Sequence, residues 1–182
     1  IPLHERTAAA NASNADLFIS LHCNSNQSGT TRGAETFIMG LEKSEKNLQV
    51  AARENGDSEV TDTEHMDPEE LIIYNQLQDQ NLAKSREFAE LCRQNLAVFH
   101  PGGSRPPRQA GFVILWKATM PSVLVEMGYV NNRSDEAFLG SGDGQDILAS
   151  CLVNAVRSYL LNRSSELASA SIRPEGLYDY GQ

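Results

Sequence analysis

Two short apolar runs, each ending on an ionisable residue, constrain this chain more than any other feature. Leu17-Phe18-Ile19-Ser20-Leu21 leads into His22, and Val123-Leu124-Val125 leads into Glu126. Runs of this length and composition read as buried strands, which carry no polar face of their own. Helical patterns stand between them. Residues 3–15 are helical with small side chains inward and Asn14 at the close, and 43–54 return to helical spacing through Leu48, Val50 and Ala51. Residues 34–40 alternate as a further strand. Asp67-Pro68-Glu69-Glu70 is a helix start, with an N-cap acid, proline at the first helical position and acids facing the positive dipole end. That helix is expected to reach about Phe99, with Leu71, Tyr74, Leu77 or Gln78, Leu82, Phe88, Leu91, Cys92 and Leu96 as its apolar stripe. Residues 100–108 are a loop, 111–116 a strand, 122–125 a buried strand, and 143–161 a last amphipathic helix. Residues 164–182 lack a clear period and read as a tail or linker. Helices alternating with buried strands predict an α/β fold.

Charge narrows the function. Fifteen lysines and arginines stand against 24 acids, a net charge of -9, so the molecule repels phosphate backbones and anionic headgroups; nucleic acid is not an expected partner. No apolar run approaches the roughly 20 residues of a membrane span, so no transmembrane segment is expected. Cys23, Cys92 and Cys151 include no C-x-x-C pair, which argues against a disulfide framework or a thiolate zinc site. Glu54, Asp57, Glu59, Asp62, Glu64, Asp67, Glu69 and Glu70 come with no lysine or arginine among them, and their plain reading is a solvated loop followed by a surface helix.

The chemistry points to the two strand ends. In open α/β sheets ligands gather outside the carboxyl ends of strands. A neutral imidazole there suits zinc, and a carboxylate leaving a hydrophobic strand is poorly solvated, which raises its pKa toward that of a general base. The plain alternative is that both are hydrogen-bonded structural residues. His4 reads as helix surface, and His65 and His100 as solvated.

Five ordered blocks carry a resemblance: Ile1-Pro2-Leu3-His4-Glu5-Arg6-Thr7, Ala10-Asn11, the run from Ala15 through Ser20-Leu21-His22-Cys23-Asn24, Gly33-Ala34-Glu35-Thr36, and Pro121 through Val125-Glu126-Met127-Gly128 to Asn132. Together they closely resemble the zinc-dependent N-acetylmuramoyl-L-alanine amidases of bacterial cell walls, over residues 1–161. The resemblance implies a three-layer α/β/α domain with a mostly parallel mixed sheet at 1–163, lacking its first strand or strands, with an acidic and helical insertion at about 41–82. It implies hydrolysis of the amide between N-acetylmuramic acid and L-alanine of peptidoglycan, in cell-wall remodelling and daughter-cell separation, in the periplasm or secreted. His22 matches a zinc ligand and Glu126 the catalytic glutamate; Asn24 orients their surroundings or is simply a turn residue. The family's other two zinc ligands, one in a Gly-His-Gly-Gly motif, have no counterpart here and are expected upstream of Ile1, so the chain by itself is expected to be inactive. Glu69 or Glu70 is the expected blocking glutamate of a regulatory insertion, with 67–82 as its displaceable cover and an envelope protein as activator. The rival expectation is a peptidoglycan- or partner-binding module of the same fold, without hydrolysis. A different zinc hydrolase, such as a deacetylase, shares the strand-end His and Glu but not the five blocks.

Overall fold

The structure, a computed structural model, describes residues 1–40, 45–56 and 68–171. Along them run α1 (Leu3–Ala12), β1 (Phe18–Asn24), β2 (Glu35–Met39), α2 (Glu45–Asn55), α3 (Pro68–Phe99), β3 (Arg108–Ala110), α4 (Val113–Trp116), β4 (Ser122–Tyr129), α5 (Arg133–Leu139) and α6 (Gly142–Ser171). The strands form one sheet in the order β1-β4-β2-β3. β1 runs parallel to β4, β2 antiparallel to β4, and β3 parallel to β2, so the sheet is mixed.

Alternation along the strands sorts side chains onto two faces. Val123, Val125, Ile38 and Ile19 meet Phe88, Ala89, Cys92 and Leu96 of α3 and Leu148, Cys151, Ala155 and Tyr159 of α6. On the other face Leu124, Phe37 and Phe18 meet Val50 and Ala51 of α2, Ile114 and Leu115 of α4, and Leu3 of α1. Helices therefore cover both faces, giving the expected three layers. α2 is pegged at both ends: buried Asn47 donates to the Gln109 carbonyl (2.9 Å), and buried Asn55 donates to the Gly111 carbonyl (3.0 Å) and accepts from the Val113 N–H (2.9 Å).

Three expectations need correction. The strand expected at 111–116 is instead β3, three residues long and earlier, followed by the single turn α4; Asn55 holds both sides of the bend between them. A short apolar run does not by itself distinguish strand from helix turn. The tail expected from Ser164 is helical through Ser171. Its side chains are exposed from Ser164 to Ala168, so no burial imposes a period, and the hydroxyls of Ser164 and Ser165 fold back onto the carbonyls of Leu160 and Leu161. His100 is buried, not solvated: its Nδ1 accepts from the Gly102 N–H (2.9 Å), which leaves Nε2–H to donate to the Met127 carbonyl (3.1 Å). The acids at 57–67, including the expected cap Asp67, together with His65 and residues 172–182, lie outside the described residues.

Gly33 shows how closely the loops pack. Its φ is +95°, and a Cβ there would lie 2.4 Å from the Gly102 carbonyl oxygen. Backbone against backbone has little freedom to yield, so Gly33→Ala is expected to lower stability by ~2 kcal/mol or more. Urea unfolding of the two proteins measures it.

Candidate functional site

The register brings three ionisable residues into one row. His22 of β1 pairs with Glu126 of β4, and Glu126 pairs on its other side with Glu35 of β2. Directly paired residues project to the same face, here the face that carries Leu124 and Phe37 beneath α2. Beyond the row, pairing slips: His22 matches Glu126 but Asn24 matches Tyr129, so β4 holds one extra residue. Gly128, at φ +149°, lies in that bulge, and a Cβ there would press on Leu139, His100 and Asp135. Asp135 secures the bend by accepting from the N–H groups of Tyr129 (3.0 Å) and Gly33 (2.8 Å).

Each carboxylate in this region has a different environment. Glu35, 1 % exposed, is held by Arg108 (Nη2–Oε2 2.6 Å) and Arg105 (Nη1–Oε1 3.2 Å), with the Asn24 amide at 3.5 Å. Burial and the adjacent Glu35 charge push the Tyr129 phenol up. Arg108 also stacks on Phe37, 4.9 Å from its ring centre. Glu54, near the end of α2, binds His22 Nδ1, while His22 Nε2 lies 2.8 Å from Ser20 Oγ. That bond to Glu54 raises the His22 pKa, against the opposing effect of burial. Glu126 is fully buried, and among the described residues neither carboxylate oxygen has a hydrogen-bond partner. Burial, reinforced by the charge of Glu54, pushes its carboxyl up to about 8.

The structure thus unites His22 and Glu126, as expected from the strand ends. Asn24 is buried and structural as well as near the site: its Oδ1 accepts from Arg53 of α2 and from the Ser25 N–H (2.8 Å), and its amide faces Glu35. The glutamate bonded to His22 Nδ1 is Glu54. Glu69 is exposed in the first turn of α3, and the Glu70 side chain lies outside the described residues. The element above His22 is α2, while the later part of the expected cover is tied to α4 and the loop after it, with Gln78 donating to the carbonyls of Leu115, Trp116 and Ala118. Sequence reasoning passed over Glu35, Arg105 and Arg108. The usable signal was parity, since Glu35 shares the inward face of Phe37 and a buried acid there demands a cation.

Two expected outcomes follow from this electrostatics. A carboxyl raised from the ordinary 4.5 to about 8 binds its proton more tightly in the folded protein. Its contribution to stability is full below about pH 4.5 and is lost as pH rises through about 8, a change of a few kcal/mol. Glu126→Gln removes this contribution, so the melting temperature of the variant relative to the parent should climb between pH 4.5 and 8. Arg108→Ala strips one of two cations from buried Glu35 and is expected to cost ~2–3 kcal/mol in urea unfolding.

Comparison with known proteins agrees with the architecture. The family model described as N-acetylmuramoyl-L-alanine amidase matches residues 1–158. The N-acetylmuramoyl-L-alanine amidase AmiA of Escherichia coli strain K12 is 27% identical over 164 residues, 87% of this chain and 57% of that protein. Among solved structures, the amidase of Clostridium difficile 630 superposes with a TM-score of 0.61 at 24% identity, covering 88% of this chain and 66% of that one. The CwlD amidase of Clostridioides difficile, in complex with the GerS lipoprotein, gives 0.60 at 20% identity, covering 87% and 61%. The chain spans a little over half the length of AmiA.

Proposed function

The chain belongs to the N-acetylmuramoyl-L-alanine amidase family, and on that premise we propose that it takes part in hydrolysing the amide between N-acetylmuramic acid and L-alanine in peptidoglycan. The observation that carries the reading is Glu126: a buried carboxyl without a hydrogen-bond partner, in register with an imidazole. Such a group destabilises the fold as it ionises, and a general base needs its raised pKa.

Zinc is the proposed cofactor. The donor chemistry fits, since His22 offers an imidazole and unpartnered Glu126 a carboxylate whose burial a cation would relieve. Among the described residues no group of three His, Cys, Asp or Glu stands ready to hold a metal ion, so His22 is proposed as one ligand of a set completed by other residues. Zinc, when bound, would polarise the scissile carbonyl and acidify water. Glu126 then takes the proton of the attacking water and delivers it to the leaving amine of L-alanine. Both ring nitrogens of His22 are engaged here, by Glu54 and by Ser20, so one partner has to yield before the imidazole can ligate. Glu54 is the proposed competitor, taking the regulatory part expected of Glu69 or Glu70. An envelope location and an envelope protein as partner are proposed on the same basis; among the described residues no helix is long and apolar enough to cross a membrane.

The test is release of L-alanine N-termini from peptidoglycan with and without added zinc. In a protein that carries this chain together with the remaining zinc ligands, zinc-dependent release is expected, reduced at least ~100-fold by Glu126→Gln with metal content unchanged. Retained peptidoglycan binding with no release would make the chain a binding module. Glu54→Ala is expected to raise zinc affinity roughly tenfold by freeing His22 Nδ1; a fall, read by competition with a chromophoric chelator, would make Glu54 itself a ligand.

A further inference from the structure

Beside the row of ionisable residues, a cavity of about 230 Å³ opens between α2 and the loop after β1, lined by Asn24, Ser25, Asn26, Gln49, Arg53 and Tyr129 among others. Arg53, in the last turn of α2, is bonded through Nη1 to the neutral Asn24 Oδ1. The rest of its guanidinium fork has no hydrogen-bond partner among the described residues; its positive charge is felt by Glu126, with no direct ion pair to a carboxylate among the described residues. This contrasts with Arg105 and Arg108, whose charge is met by Glu35. Glu126 lies within reach of its charge, yet the direct partner of this guanidinium is a neutral amide, which leaves its fork open to a further anion. Its fork geometry suits a carboxylate held by two parallel hydrogen bonds.

We propose that this cavity is the subsite for a free carboxylate of the stem peptide, held by Arg53 one residue beyond the scissile amide. The proposal rests on the amidase reading and deepens it. Spacing supports it. From His22 to Asn24 is two residues of strand, about 6.6 Å. An extended peptide with its scissile amide at His22 and Glu126 carries the next residue's carboxylate forward by a similar length, since successive Cα atoms stand about 3.8 Å apart. The neighbouring acids repel a carboxylate laid anywhere else along the row, so Arg53 fixes the direction of the peptide as well as its place. Asn24 holds Arg53 in position and is a positioning residue. The amides and hydroxyls of Asn26 and Ser28 are bonded among themselves and shape the wall.

Calorimetric titration of the 182-residue chain with three soluble probes tests this: N-acetylmuramoyl-L-alanyl-D-isoglutamate, its isoglutamine counterpart with the carboxylate amidated, and acetyl-L-alanyl-D-isoglutamate without the sugar. The acid is expected to bind about tenfold more tightly than the amide, with a preference that shrinks as salt rises. Arg53→Gln should abolish the preference and Arg53→Lys should keep part of it; thermal melts confirm that both variants are folded. Equal binding of acid and amide, a preference that survives Arg53→Gln, or no detectable binding of the acid would overturn the subsite. The third probe separates this from the amidase reading. If the sugar adds nothing while the carboxylate preference holds, the subsite stands and the amidase reading loses its support. If the sugar matters and the carboxylate does not, the reverse is true.

Discussion

β4 is hydrogen-bonded along both edges and buried on both faces, and that double confinement organises the molecule. A strand so placed turns little but half-buried Met127 toward water, so each other residue either finds an apolar layer or imposes a special environment. Val123 and Val125 call for α3 and α6, and Leu124 calls for α2 and α4. Glu126, with no layer to suit it, forces a polar seam into an otherwise hydrophobic face. Its neighbours in the seam arrive by register from β1 and β2, and the Gly128 bulge ends the seam by letting β4 bend toward α5.

Three carboxylates crowded beneath one helix are tolerable because each is relieved in a different way. Two guanidinium groups compensate Glu35, the His22 imidazole compensates Glu54, and Glu126 keeps its proton. The row therefore holds an acid paired with two arginines on one side, an imidazole bonded to a glutamate on the other, and between them a buried acid whose ionisation depends on what approaches. The arginines also spare the seam from repelling itself apart, which ties the stability of β2 to that of β4.

Strand-end logic picked out His22 and Glu126 as the positions to examine, since an apolar run that stops on an ionisable residue marks burial, while the roles expected of them came from the five ordered blocks. The register that aligns them was not legible, because it depends on pairing between segments about a hundred residues apart. The fold class followed from alternation, and the start and end of α3 from its proline, its acids and the loop after Phe99. Short elements were less legible. β3 and α4 share a run whose shape is decided by Asn55, a residue far upstream with nothing in its local sequence to announce that role. Glu54 was visible only as the first member of an acidic series, and its bond to His22 emerges only once α2 lies across the sheet.

The pegs at Asn47 and Asn55 have a kinetic consequence. A helix tied at both ends to the backbone beneath it, with Val50 and Ala51 buried between, can leave only by breaking several contacts together. Motions of that kind belong to microseconds and longer, whereas a single glutamate side chain changes rotamer in picoseconds to nanoseconds. Access to His22 through Glu54 alone is then always in rapid equilibrium. Occupancy of the imidazole follows the instantaneous concentration of its competitors, without memory of past states. A site gated in this way acts as a rheostat, not as a latch.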